Sequence, residues 1–260
     1  MSNHEELNES HEQYNAACLR YARCSRAGEV IDLGGLCIAN SRHPWAMLNA
    51  AVLTAPVFSQ AELAARVAGA VAYFRRENQP WFLAAGETWL GEGAQATLLG
   101  LGLGKTGSMI GMVTEQVAPP ARPLPDVETR CIDDEAGRRG LSDLNAVAYS
   151  VSLDWVRDLA MGEALWQDPL YGCNAYVDGQ PVSTALVLPQ NGVLYVGWVA
   201  TAVAYRRRGL ADLVMRRALE HATRETGITR TALHASADGY PGYLKMGYRT
   251  VEEFVLYAPV

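Results

Sequence analysis

The apolar positions change spacing repeatedly along the 260 residues, and each change marks a switch between helix and strand. Residues 1–12 are polar and acidic, with no apolar period, and are expected to be disordered. His11–Ala27 then puts Tyr14, Ala17, Cys18 and Tyr21 on one face of a helix. Val30–Ala39 reads as a strand with a weak point or turn at Gly34-Gly35, and Ala50–Val57 as another that stops near Pro56. Ser59-x-x-Glu62 ahead of Leu63 is a capping box, opening a helix to about Arg76. Trp81–Ala84 returns to strand, Glu87–Leu98 to helix, and Ser108–Val117 to an extended pattern.

Val117–Asp126 holds four prolines and reads as a semi-rigid linker, the clearest domain boundary in the chain. Beyond it come a strand at Val127–Ile132 and helices at Asp133–Tyr149 and Asp154–Trp166. Tyr171–Val177 and Pro181–Leu188 form a hairpin across Asp178-Gly179. After an Asn191-Gly192 turn, Val193–Val199 is a strand of β-branched and aromatic residues. Leu210, Leu213, Val214, Ala218 and Leu219 then recur at a helical period. Arg230–Ala235 is a short strand, Tyr240–Met246 a short helix with Pro241 in its first turn, and Thr250–Tyr257 a closing strand. The expected division is a disordered 1–12, an α/β domain at 13–116, a linker at 117–126 and a second domain at 127–260.

Composition narrows the function classes. Half the residues are apolar, and the formal charge of −6 argues against a nucleic-acid binder. The cationic side chains gather locally instead, at Arg206, Arg207 and Arg208, a patch sized for a small polyanion; Arg216 and Arg217 read as a solvated helix face. The five cysteines are scattered without a Cys-x-x-Cys pair, so neither a zinc site nor a disulfide scaffold is indicated, and no metal is expected. No signal pattern or membrane-length apolar run is present, which points to a cytoplasmic protein with no membrane partner.

Two glycine patterns compete for the role of ligand loop. In Gly100–Gly107, Gly104-Lys105-Thr106 has the end of a P-loop, but position 99 is Leu99 where the first glycine belongs. Gly102-x-Gly104-x-x-Gly107 has dinucleotide spacing, but a β-like segment comes next where a helix is needed. A flexible glycine-rich loop is expected there; a nucleotide-binding protein is the outlying alternative. Arg206-Arg207-Arg208-Gly209-Leu210-Ala211 differs, because it joins a strand to a helix N-terminus. Free amides and the helix dipole at such a turn both favour a phosphate, and Gly209 and Ala211 keep the backbone accessible.

Arg206-x-x-Gly209-x-Ala211 after a strand resembles the pyrophosphate loop of the GNAT acyltransferases, whose pattern is Gln/Arg-x-x-Gly-x-Gly/Ala. A second signature, the stretch Leu233–Tyr248 with Tyr243-x-x-x-Gly247-Tyr248, resembles the family's strand, short helix and Tyr-x-x-x-Gly-aromatic ending. The order of elements across 127–257 is also that of the family. The resemblance implies an α/β (α+β) fold with a mixed, mostly antiparallel sheet and a splayed parallel strand pair. The first half is similar in outline to a degenerate second GNAT domain without a phosphate loop, making a tandem protein in which it walls the substrate pocket or forms a homodimer surface.

Family resemblance further implies acetyl-CoA as acyl donor and transfer of its acetyl group directly to an amine on a small molecule or peptide. Val199, Ala200 and Thr201 would pair with the pantetheine arm. Amides of Arg207–Ala211, including Arg208, Gly209 and Leu210, would hold the pyrophosphate, with Arg206 adding charge. Tyr243 would protonate the leaving thiolate, the other reading being a core tyrosine. Ser236 would touch the donor or cap the next turn. Gly197 either marks the family's strand bulge or relieves packing beside Trp198. The family's strand glutamate has no counterpart, because Val193–Thr201 contains no carboxylate or histidine. A water chain, or His234, Glu163 or Asp168, would have to take the proton instead. That gap leaves a second reading, a catalytically silent acyl-CoA-binding regulator or sensor.

Overall fold

A computed structural model describes residues 2–260, and the chain divides into two compact units. The first comprises residues up to 111 with 235–237 and 250–260; the second comprises 112–234 and 238–249. The sequence places the boundary at 117–126 and gives the closing strand to the second domain. The division falls earlier, between Gly111 and Met112, and residues 250–260 group with the first unit.

In the first unit, helix α1 spans Asn3–Cys24. Residues 3–12, expected to be disordered, form its first turns. Ser2 accepts from the Glu5 amide while the Glu5 carboxylate accepts from the Ser2 amide, a capping box that satisfies two donors at the helix end. Strands β1 (Glu29–Asp32) and β2 (Leu36–Asn40) form a hairpin across Gly34 and Gly35, both at positive φ. β3 (Asn49–Leu53) leads to α2 (Gln60–Glu77), which returns to β4 (Phe82–Gly86), parallel to β3. Two short helices, α3 (Glu87–Leu90) and α4 (Ala94–Gly100), stand where one was expected, the break falling at Gly91 and Gly93. β5 (Leu103–Thr114) and β11 (Arg249–Pro259) complete a sheet ordered β1-β2-β3-β4-β11-β5. Its central strands are buried on both faces, so they read as continuous apolar runs. Leu36, Ile38, Leu53 and Leu83 join Leu63, Val67 and Phe74 of α2 in one core layer. Cys37, Val52, Phe82 and Ala84 join Tyr14 of α1 in the other.

From Leu103 onward the glycine-rich stretch is a strand rather than the expected flexible loop. Gly104, Lys105, Thr106 and Gly107 lie within β5, where the Thr106 hydroxyl donates to the Leu256 carbonyl. With a strand after Gly102, neither glycine fingerprint has the helix its phosphate chemistry needs.

The second unit contains β6 (Glu128–Cys131), α5 (Glu135–Tyr149), α6 (Leu153–Ala160), α7 (Glu163–Trp166), β7 (Tyr171–Val177), β8 (Gln180–Gln190), β9 (Val193–Thr201), α8 (Leu210–Thr226), β10 (Thr231–Ala235) and α9 (Tyr240–Lys245). The single helix expected over 154–166 is two, because Met161-Gly162 ends α6 and the amide of Gly162 turns back to Leu159. Strand order is β10-β9-β8-β7-β6; the β8–β9, β7–β8 and β6–β7 pairs are antiparallel and β9–β10 is parallel. α8 packs along β7, β8 and β9 through Leu213, Val214, Ala218 and Ala222. Among the described residues no helix is long and apolar enough to cross a membrane.

Candidate active site

The site begins with a strand that stops pairing. β10 pairs with β9 opposite Leu194, Tyr195 and Val196, while β9 runs on to Thr201. Just past that point β9 bulges: Leu186 faces Gly197 and Thr184 faces Ala200, so Trp198 and Val199 together oppose Ala185. The left-handed residue is Trp198, at φ +54, rather than the neighbouring Gly197. A bulky residue stays in that region only where its surroundings hold it. Here the hold is Asn145 of α5, buried, whose amide donates to the Trp198 carbonyl at 3.2 Å and to the Leu141 carbonyl at 2.9 Å. An asparagine inside a helical period carries no mark of this partner, and sequence reasoning missed it.

After the bulge, Ser183 fixes the end of β9. Its hydroxyl bonds the Ala200 carbonyl at 3.2 Å and the Thr201 hydroxyl at 2.8 Å. The chain then turns through Val203–Tyr205 into the arginine run. The guanidinium of Arg206 folds back to donate to the Thr201 carbonyl at 3.2 Å, and that of Arg208 lies over the Tyr205 ring at 5.1 Å. Arg207 is exposed at φ +61. α8 starts on Gly209, at φ +84, with no side chain capping it. The first backbone bond of the helix runs from the Leu213 amide to the Gly209 carbonyl, so Leu210, Ala211 and Asp212 precede it with their amides.

Gly209 has a further reason to be glycine. A Cβ there would lie 3.2 Å from Nη2 of Arg122 and 3.4 Å from Pro125, residues of the proline-rich segment. That segment is therefore laid against the turn, and it is pinned at Ala118. The Ala118 amide donates to the Met246 carbonyl at 2.9 Å, and its carbonyl accepts from Arg216 at 2.6 Å. Arg216, expected on a solvated face, is buried and paired with Asp212 at 2.7 Å; Arg217 is the exposed member of the two. Arg122 brings another positive charge beside the turn, from a position whose spacing to Gly209 no sequence pattern reveals.

Tyr243 lies on α9 and is half-buried. Its ring fits against Gly239, where a Cβ would come within 2.8 Å of Cε2, and meets the Tyr248 ring edge-on at 6.0 Å. Tyr248 is itself anchored by a 2.8 Å bond between its hydroxyl and that of Thr231. Burial, followed by the nearby Tyr149 phenol, pushes the Tyr243 hydroxyl well above the usual phenol range. That group is accordingly a protonated donor across the neutral range.

The candidate bases fare differently. His234 Nδ1 is 3.1 Å from the Tyr195 hydroxyl, while Glu163 and Asp168 are exposed. Ser236 is exposed and falls among residues 235–237, which group with the first unit. A bulged strand end, a helix N-terminus without a side-chain cap, and a cationic surround suit a ligand with an extended polar arm and a diphosphate.

Residues 138–248 match the family model described as Acetyltransferase (GNAT) family. Among solved structures, a GCN5-related N-acetyltransferase from Kribbella flavida superposes with a TM-score of 0.74 at 20% identity, covering 97% of this chain and 95% of that one. A tandem GNAT protein from the clavulanic acid biosynthesis pathway has a TM-score of 0.60 at 14% identity, covering 96% and 94%. A GCN5-related N-acetyltransferase from Sphaerobacter thermophilus has a TM-score of 0.63 at 16% identity, covering 88% and 81%. No curated protein matches the chain in sequence. At these identities the structural likeness speaks to the fold alone.

Proposed function

We propose, from the match of residues 138–248 to the acetyltransferase (GNAT) family model, that the second unit transfers an acetyl group from acetyl-CoA directly to the amine of a small molecule or peptide. The observation that carries catalysis, as distinct from binding, is Tyr243: a half-buried phenol seated in the notch left by Gly239 and held protonated by its burial. The stretch of β9 beyond its pairing with β10, Val199–Thr201, receives the pantetheine arm. The amides of Arg207–Ala211 receive the diphosphate, with Arg207 and Arg122 as the nearby charges.

The amine nitrogen attacks the thioester carbonyl, and the strand's amides stabilise the resulting oxyanion. As the carbon–sulfur bond breaks, the Tyr243 O–H gives its proton to the departing thiolate. The amine's own proton leaves to water, since β9 offers no carboxylate, and a proton from water returns to the Tyr243 phenolate. That same absence favours the second reading, a silent acyl-CoA sensor, in which Tyr243 is only a packing residue.

Calorimetric titration with acetyl-CoA, with NAD and ATP as comparators, tests binding; a thiol-release assay over a panel of amines tests turnover. Tyr243→Phe should lower kcat about 100-fold and leave the acetyl-CoA Kd within about twofold. Binding without thiol release from any amine supports the sensor; no binding of acetyl-CoA sinks both readings. The pH profile supplies a second check. A donor works while protonated, and the Tyr243 pKa is raised, so kcat should not fall on the alkaline side before about pH 10, the ordinary phenol value. A fall centred near pH 8 that Tyr243→Phe removes would contradict the assignment.

A further inference from the structure

At the β6 edge of the second unit's sheet, two thiols face each other. β6 and β7 are antiparallel with Cys131 directly opposite Cys173. The Ile132 amide donates to the Gly172 carbonyl at 3.0 Å, which makes that pair the hydrogen-bonded one and the adjacent cysteine pair the non-hydrogen-bonded one. Opposed residues share a face, and non-hydrogen-bonded pairs bring their α-carbons to about 4.5 Å, within the roughly 4.4–6.8 Å that a disulfide spans. Both thiols are free; Cys131 is exposed and Cys173 buried. Beside them α8 completes a cleft of about 190 Å³, lined by both cysteines with Arg217, Glu220, His221 and Arg224. Nδ1 of His221 is 3.6 Å from the Cys131 sulfur, and its ring sits edge-on to Tyr171 at 4.9 Å. The other cysteines, Cys18, Cys24 and Cys37, belong to the first unit. No grouping of His, Cys, Asp and Glu suited to a metal ion occurs among the described residues, which leaves the cleft with the chemistry of its thiols.

We propose that Cys131, Cys173 and His221 form a peroxide-reactive dithiol site, separate from acyl transfer, whose product is a cross-strand disulfide. The Cys131 thiol gives its proton to Nδ1 of His221, in the tautomer that carries hydrogen on Nε2. The Cys131 sulfur then attacks one oxygen of hydrogen peroxide; the O–O bond breaks and a sulfenic acid forms. The departing hydroxide takes the proton from His221 and leaves as water. Next the Cys173 sulfur attacks the sulfenic sulfur, the S–O bond breaks, and hydroxide leaves with the Cys173 proton as a second water. Two thiols are oxidised to one disulfide and one peroxide is reduced to two waters. Burial, with Cys131 as the second cause, pushes the Cys173 thiol up to about 12. It therefore stays protonated while the exposed sulfur reacts first, which fixes the order of the two steps.

Stoichiometric hydrogen peroxide added to the full chain, followed by alkylation and peptide mapping by mass spectrometry, tests this. The expected product is a peptide pair joined through Cys131 and Cys173, with Cys18, Cys24 and Cys37 still alkylated. Cys173→Ala should halt the reaction at a sulfenic acid on Cys131 that a 1,3-dione traps. His221→Gln should slow Cys131 oxidation about tenfold. A map in which Cys131 and Cys173 stay thiols, or in which Cys131 joins another molecule instead, overturns the proposal. The map of the unaltered chain decides this even where a variant fails to fold.

Discussion

Each unit contains a strand, a helix and a parallel strand in succession: β3-α2-β4 in the first, β9-α8-β10 in the second. The parallel pairing is short in both, ending at Val52 and Ala84 in one and at Val196 and Leu233 in the other. Beyond those residues the two units part ways. In the first unit the strand ends are taken up by α1, one helical turn apart. Asn15 donates to the Leu53 carbonyl at 2.7 Å, and Nε2 of His11 accepts from the Gly86 amide at 3.0 Å. The helix start is equally filled. Ser59 accepts from the Glu62 amide, the Glu62 carboxylate accepts from the Phe58 amide, and Arg66 donates to the Ala55 and Pro56 carbonyls. In the second unit β9 bulges and runs on past its pairing with β10, and α8 begins on a glycine with no side-chain cap. Side chains reach the strand end in both units, through Asn145, Ser183 and Arg206 in the second. What separates the two is therefore the helix start, capped by Ser59 in α2 and left on a bare glycine in α8, where the ligand is proposed to sit.

The contrast is broken most forcefully by giving α8 what α2 has. Asp tolerates the left-handed backbone better than most residues. Gly209→Asp should therefore place a carboxylate among the amides of the turn and raise the acetyl-CoA Kd about 100-fold. Calorimetry on a variant with an unchanged circular dichroism spectrum checks it; unaltered affinity would move the site elsewhere. Gly239→Ala is expected to act next most strongly. It removes no functional group but sets a Cβ within 2.8 Å of the Tyr243 ring. A fall in kcat of about tenfold with unchanged Kd is the outcome expected of a displaced donor. The smallest effect belongs to the filled unit. Asn15→Ala should cost about 1–2 kcal/mol of unfolding free energy by leaving a buried carbonyl unbonded, with acetyl-CoA binding and kcat unmoved. Binding of a second equivalent of acetyl-CoA by that variant would mean that side chains alone had silenced the first unit.

Much of the second unit was legible because its signals are local. The strand, the arginine turn and the apolar period of α8 adjoin in sequence, and so do Gly239, Tyr243 and Gly247. The parts that stayed hidden depend on contacts between distant positions. Asn145 finds Trp198 across the sheet, and Arg122 and Pro125 find Gly209 from the proline-rich segment. Arg216 reads as surface because its partners, Asp212 and Ala118, include a backbone carbonyl nearly a hundred positions away. The start of α1 was missed for another reason. Ser2-x-x-Glu5 is a capping box, but the residues after it are too polar to show an apolar helical period. Ser10, His11, Gln13 and Asn15 are buried, and His11 and Asn15 bond the Gly86 amide and the Leu53 carbonyl. The glycines of β5 misled in the opposite way, since their strand is defined by β11, far along the chain.

β11 also sets a timetable. It lies between β4 and β5, pairing Phe254 with Gly86 and Leu256 with Ala84. During translation, β4 and β5 leave the ribosome long before the strand that separates them exists. The first unit consequently cannot obey the usual rule that amino-terminal regions fold while the remainder is still being made. Its sheet waits, with the facing edges of β4 and β5 unsatisfied, until residues 249–259 emerge. The second unit's strands β6 to β10 are all made within that interval. The nascent chain should therefore complete its second unit first and close the first unit, begun earlier, last.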